Sequence, residues 1–264
     1  MKLYHVDAFT DKLFTGNPAG VCILDKDIPD EQKLHIAAEL KHSETAFVLR
    51  PGNAGDIPLR WFTPETEVPL CGHATLSAAH ILFEKKYVRK DETIRFTTKS
   101  GILTAKYSGT QVELDFPQLS VRPCAANPDL NAAMGMTPLF TVKNEELYFV
   151  EIASAKELRT LQPDFNALKK ILPGEFIVTA ASDDPRFDFL SRFFGPAVGI
   201  PEDPVTGSAH CYLAPYWSAK LGKNTLTGFQ VSARGGVVEC ELTGNKRVKL
   251  RGRAVTFFET DIVL

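Results

Sequence analysis

Short runs in which apolar positions alternate with polar ones, or fill several successive places, recur along the chain between Gly, Pro and Asp residues. KLYHVDAF, GVCIL, TAFVLR, PLRWF, TIRFTT, ILTAKYS and QVELDF are such runs, rich in β-branched and aromatic residues, and each predicts a strand. Two stretches change the period to a helical one. From Asp30 to Leu40 an apolar stripe is supplied by Leu34, Ile36, Ala37, Ala38 and Leu40, and from Gly72 to Tyr87 apolar residues cover most of the circumference until Glu84. A helix of the second kind has to be enclosed by other elements.

The second half repeats this grammar. LYFVEIA, EFIVTA and RFDFLSRFF predict strands, Asp164 to Ile171 a short helix, and Gly207 to Leu221 a more buried helix that Pro215 should bend or interrupt. VSARGGVVECEL, KRVKLRGRAV and the tail TFFETDIVL return to strand, with Arg247, Lys249, Arg251 and Arg253 on one side of the second, read as a solvated face. Strands, an enclosed helix and strands thus occur twice. The likeness extends to sequence: Trp61-Phe62-Thr63-Pro64 leads into Cys71-Gly72-His73-Ala74, and Phe193-Phe194-Gly195-Pro196 into Thr206-Gly207-Ser208-Ala209. A divergent duplication gives two similar lobes, 1–118 and 119–264, with the C-terminal strand free to return to the first. The Pro-punctuated stretch from Phe116 to Pro128 reads as the linker, and a cleft between lobes is the expected place for a ligand.

Composition narrows the function. The 264 residues are 44% hydrophobic and 23% charged, the balance of a folded globular chain. With 30 Lys and Arg against 32 Asp and Glu, the net charge of -2 offers nucleic acid no general attraction. No apolar run is long enough to cross a bilayer, and the amino terminus lacks a secretory leader, so a cytoplasmic location is expected. Five scattered cysteines without a CxxC pair read as reduced thiols. No GxGxxG or GxxxxGK[ST] motif is present, and His73 and His80 have no companion ligands in sequence. Neither a nucleotide cofactor nor a metal is expected.

The residues that could carry chemistry cluster at the paired helix entries. Gly72-His73 and Gly207-Ser208 each open a helix, and two such amino ends suit a small carboxylate or phosphate; equally, the glycines could serve tight turns and His73 and Ser208 could cap their helices. Glu44, in HSETAFV, stands between a helix end and an apolar strand. Entry of that strand into a core would raise the carboxyl pKa toward neutrality and suit it to accept and return a proton, whereas at an exposed strand end it would be an ordinary surface glutamate. In GIPEDPVTGSAH, Glu202 and Asp203 precede Pro204 on a stiffened turn, which suits a ligand-orienting carboxylate or a plain turn. Cys71 begins the first helix, where a thiol can be reactive, but its counterpart is Thr206. A two-thiol racemase is therefore disfavoured, and Cys211 reads as core.

VDAFTDKLFTGNPAGVCIL, HSETAFV, RWFTPETEVPLCGHATLSAAH and GIPEDPVTGSAH, in this order, resemble the phenazine-biosynthesis PhzF-like family within the diaminopimelate-epimerase-like superfamily. The resemblance runs from residue 3 to the tail. It implies an α+β fold of two similar lobes, each a mostly antiparallel β-barrel around a central helix, with the site between them. It also implies an isomerase that needs no cofactor, in which a glutamate moves a proton within a small carboxylic acid. By motif that glutamate is Glu44, the supporting groups are His73, Asp203 and Ser208, and Gly72 and Gly207 lie at the carboxylate-receiving helix ends. Asn17 and Pro18, in GNPAG, border the cleft. A homodimer is the expected assembly, and the rival expectation is a non-catalytic member of the same fold that binds a metabolite or a protein.

Overall fold

The alternating runs of the first half form the strands that their period demands. In the computed structural model, which describes residues 1–52 and 55–263, β1 (Lys2–Ala8) pairs antiparallel with β2 (Asn17–Leu24). Helix α1 (Asp30–Leu40) then crosses over to β3 (Thr45–Leu49), which runs parallel to β2, and β4 (Ile57–Phe62) returns antiparallel to β3. A short β5 (Glu67–Val68) leads to α2 (Gly72–Glu84). The meander β6 (Thr93–Thr98), β7 (Gly101–Ser108) and β8 (Gln111–Pro117) follows, with β6 attached parallel to β4. In β6, Ile94 and Phe96 face inward and Thr93, Arg95 and Thr97 outward or nearly so.

Helix α2 is enclosed as its all-round apolarity requires. Every residue from Gly72 to Phe83 except His80 is buried, against strands that include β1, β2, β3 and β7. The helix stops at Glu84, short of Tyr87, because Lys86 turns left-handed.

The second stretch opens with β9 (Arg122–Pro123), inside the segment read as linker, and α3 (Pro128–Met134), where the Asn127 side chain accepts from the amides of Asp129 and Leu130. Then come β10 (Phe140–Lys143), β11 (Leu147–Glu151), α4 (Ala155–Thr160), α5 (Phe165–Leu168) and β12 (Glu175–Ala181). The helix read over Asp164 to Ile171 shrinks to α5, with Asp164 as its cap. Next are β13 (Phe189–Gly195), β14 (Ile200–Asp203), α6 (Gly207–Leu221), β15 (Thr225–Gln230), β16 (Gly236–Leu242) and β17 (Arg247–Gly252). Residues 231–235, read as strand, form the connection that reaches β16, with Gly235 at positive φ. Leu130, Val150, Phe176, Val178, Leu190 and Phe194 belong to one buried cluster here.

Pro215 does not end α6, which continues to Leu221. It cannot donate to the carbonyl of Cys211, and the amide of Leu119 donates to that oxygen instead at 3.1 Å. The basic side of β17 also departs from a solvated face, because Arg251 and Lys249 meet Glu113 of β8 at 2.7 and 3.3 Å.

The last strand, β18 (Ala254–Asp261), pairs antiparallel with β1, and the amide of Ile262 donates to the carbonyl of Met1 at 3.0 Å. Leu264, the end of the tail read as strand, lies outside the described residues. Two compact units result, Met1–Phe116 with Lys249–Leu264, and Pro117–Val248. The fold is α+β, and among the described residues no helix is long and apolar enough to cross a membrane.

Candidate active site

Glu44 owes its position to the way α1 ends. Lys41 adopts the left-handed conformation and its amide closes onto the Ala37 carbonyl, so the chain turns sharply and enters β3 at Thr45 with Glu44 just outside it. The helix itself is tied down by Arg60 of β4, which holds Asp30 with two bonds of 2.6 and 2.7 Å and Glu67 with two of 2.8 and 2.6 Å. Hydrogen bonds from Arg60 and Lys33 keep the Asp30 carboxyl well below the usual carboxylate range. β2 and β3 run parallel with Gly20 opposite Thr45, which brings the openings of both strands to one end. Asn17, buried, and Pro18, half-buried, occupy that end of β2, and Glu44 precedes β3.

His73 lies in the first turn of α2 and is buried, and Glu44 is mostly sheltered, its side chain 15% exposed. Glu44 Oε2 stands 3.5 Å from His73 Nε2, and the Ser43 hydroxyl is also 3.5 Å from that nitrogen. On the other edge of the ring, Cys71 Sγ is 3.5 Å from Nδ1. Burial lowers the His73 pKa, and the negative charge of Glu44 opposes this only in part. Two residues far apart in sequence thus meet beside a neutral imidazole.

The cap of α2 is Cys71, in extended conformation and without a side-chain cap bond, so His73 does not cap its helix. Donor atoms of Glu44, Cys71 and His73 all lie within 4.8 Å of one another, so the fold gives His73 the companion ligands that sequence spacing lacks. The set suits a borderline-soft ion by type. Glu44 and Cys71 nevertheless face different ring nitrogens, and an ion would have to gather both side chains to one of them.

In the second unit, Asp203 ends β14 and is buried. Its neighbour Glu202 is committed to structure: Arg192 holds it through bonds of 2.7 and 2.9 Å and also donates to the carbonyls of Leu158 and Leu161. Thr206 caps α6 in extended conformation, again without a side-chain cap bond. It thereby takes the place that Cys71 holds in α2. Gly207 is buried and Ser208 is exposed on the first turn. Cys211 is buried in the core of α6, where burial pushes its thiol up to about 12.

Two further residues of this region carry no motif. Glu175, at the start of β12, has its carboxyl raised to about 7, first by burial and then by the charges of Glu146 and Asp203. Gln230, fully buried at the end of β15, is bonded to the turn that carries Asp203. Burial and a charged neighbour come from the fold; in the sequence residue 175 reads as an ordinary strand start, and residue 230 lies just ahead of a run read as strand.

The family model of phenazine biosynthesis-like proteins, PhzC-PhzF, matches residues 6–260. An uncharacterized isomerase of Halalkalibacterium halodurans is 47% identical over 263 residues, covering 99% of this chain and 98% of that protein. A crystal structure of a phenazine biosynthesis protein of the PhzF family from Enterococcus faecalis superposes with a TM-score of 0.93 at 40% identity, covering 100% of this chain and 99% of the other. At 11% identity, a hydroxyproline epimerase from Agrobacterium vitis has a TM-score of 0.62 over 98% of this chain and 91% of its own, a likeness of fold alone.

Proposed function

The chain belongs to the phenazine biosynthesis-like family, which includes proteins named as isomerases, and on that footing we propose that it is a cofactor-independent isomerase in which Glu44 moves a proton within a small carboxylic acid. The observation that carries this reading is the sheltered Glu44 carboxylate 3.5 Å from the buried, neutral imidazole of His73.

Glu44 takes a proton from one carbon of the substrate, the electron pair shifts through the adjoining π system, and the same carboxyl returns the proton to another carbon. Atoms and charge balance without an added oxidant or reductant. His73 positions the carboxylate and, through its ring proton, stabilises the charge that alternates on it. Asp203 orients a polar substituent, and Ser208 with the amide-bearing turns at Gly72 and Gly207 receives the substrate carboxylate. Asn17 and Pro18 border the place where the substrate lies. Acid–base transfer of this kind supplies about 10² to 10⁴ in rate, and orientation contributes further.

The test is isotopic. The protein is incubated in deuterated water with dihydro-hydroxyanthranilate and methylitaconate in turn, and deuterium at carbon is read by mass spectrometry and NMR. Label entering one of them, and lost in Glu44→Gln, supports the proposal; label retained in Glu44→Gln overturns it. A binding protein of the same fold would introduce none.

The proposal extends to a cytosolic homodimer. Leu13, Phe14, Phe257 and Phe258 of the first unit are exposed, and the Phe14 and Phe257 rings lie 5.4 Å apart. A second copy would cover this apolar area, and sedimentation of the wild type against Phe14→Ser/Phe257→Ser tests it.

A further inference from the structure

Asp203 is separated from the cap of α6 by Pro204 and Val205 alone, so its carboxylate can be no better placed than this turn. The side chain of Gln230 reaches the turn from β15, wholly buried. Its Nε2 donates to the Asp203 carbonyl at 2.7 Å and to the Thr206 hydroxyl at 3.1 Å, while its Oε1 accepts from the Thr206 amide at 2.9 Å. With one proton taken from Gln230 as acceptor, the Thr206 hydroxyl is left to donate to Asp203 Oδ2, at 2.5 Å. The Thr206 carbonyl accepts from Nδ1–H of His210 at 2.8 Å. The backbone amide, the hydroxyl and the carbonyl of Thr206 are all engaged.

A primary amide is the side chain that can do this. It presents an acceptor beside a donor, matching a backbone N–H and a backbone C=O on the same short turn. A carboxylate at this position would oppose the Asp203 carbonyl with a second acceptor, and a hydrocarbon would strand both backbone groups in the core.

We propose that Gln230 is a positioning residue for Asp203, clasping the 203–206 turn so that the Thr206 hydroxyl is held against one carboxylate oxygen and the carboxylate keeps a single orientation. The inference rests on the reading of Asp203 as the group that orients the substrate. Gln230 touches no substrate in this account and acts through Thr206.

The experiment uses the full chain without any ligand, labelled with 13C at the Asp side-chain carboxyl, with the Asp203 signal assigned by its loss in Asp203→Asn. The midpoint of that signal is followed against pH in the wild type, Gln230→Met, Thr206→Ala and the double variant. Loss of a hydroxyl donor to a carboxylate favours the protonated form, so both single variants are expected to raise the Asp203 midpoint by about 1 to 2 pH units. The double variant should rise no further than Thr206→Ala, because both changes remove the same bond. Thr206→Ser, which keeps the hydroxyl, should restore the wild-type midpoint. Glu175, whose carboxyl feels Asp203 and stands at about 7, is the nearby titrating group to be tracked in parallel. Should Gln230→Met not fold, Gln230→Asn, an amide too short to reach, takes its place with the same expected rise. A folded Gln230 variant in which Asp203 titrates and resonates as in the wild type overturns the proposal. That outcome leaves the isomerase reading standing, which falls instead if Glu44→Gln retains isotope exchange, while full exchange in Asp203→Asn removes only the orienting role given to Asp203.

Discussion

Glu44 Oε2 and His73 Nε2 are 3.5 Å apart, with the imidazole the more deeply buried partner. Burial of the ring dominates the attraction of the carboxylate, so the pKa of His73 lies below 6.5. Removing the negative charge takes away the one influence that raises it. In a 15N NMR titration, His73 is expected to gain its second proton below pH 6.5 in the wild type and at a still lower pH in Glu44→Gln. An unchanged midpoint in the variant would show that the two groups are not electrostatically coupled.

Cys71 touches the opposite edge of the ring, its sulfur 3.5 Å from Nδ1. In a one-base reaction the thiol neither gives nor takes a proton from carbon. Cys71→Ser should therefore keep isotope exchange within about tenfold of the wild type, whereas Glu44→Gln loses about 10² or more. Comparable losses in the two variants would point to a thiol and a carboxylate sharing the work.

Glu175 makes stability depend on pH in an unusual direction. Its carboxyl holds a proton up to about 7 in the folded protein and releases it near 4.5 when unfolded. Between these values the folded state binds more protons, so stability falls as the pH rises and the loss is complete above about 7. Relative to the wild type, Glu175→Gln should gain about 2 to 4 kcal/mol on going from pH 4 to pH 8, measured by urea denaturation at the two values. A difference that does not vary with pH would mean that Glu175 titrates normally.

Gly228 leaves no room for a side chain. A Cβ there would fall 2.5 and 2.6 Å from Cζ and Cε2 of Phe189, and that ring is stacked on Trp217 with centroids 5.8 Å apart. Gly228→Ala should cost about 1 to 3 kcal/mol through overpacking, visible as a Tm lowered by roughly 2 to 4 °C per kcal/mol. An unchanged Tm would show that the ring pair retreats freely.

Periodicity carried most of the architecture. The alternating strands and the helices at Asp30–Leu40, Gly72–Glu84 and Gly207–Leu221 follow from patterns that extend over enough residues to fix a face. Segments held by local caps were not legible in this way: α3 and α4 depend on Asn127 and Ser154 meeting particular amides, and β9, β10, β14 and β15 are short or follow turns. That α6 continues past Pro215 could not be read from the sequence, because the stranded Cys211 carbonyl is taken up by the amide of Leu119, remote in sequence. Among the chemical groups, Glu44 and His73 could be named from motifs. Their approach could not, since it depends on the left-handed exit from α1 at Lys41. Glu175 and Gln230 left no trace in the sequence, because burial and partners give them their character.

Pairing of β18 with β1 has a consequence for assembly in time. The second unit is drawn from one continuous stretch, whereas the first needs residues 249 onward to complete it. On the ribosome, where chains emerge from the amino end, the earlier-made half must wait with β1 short of a partner while the later-made half can already close. Cutting away that final strand would strike the part of the molecule synthesised first.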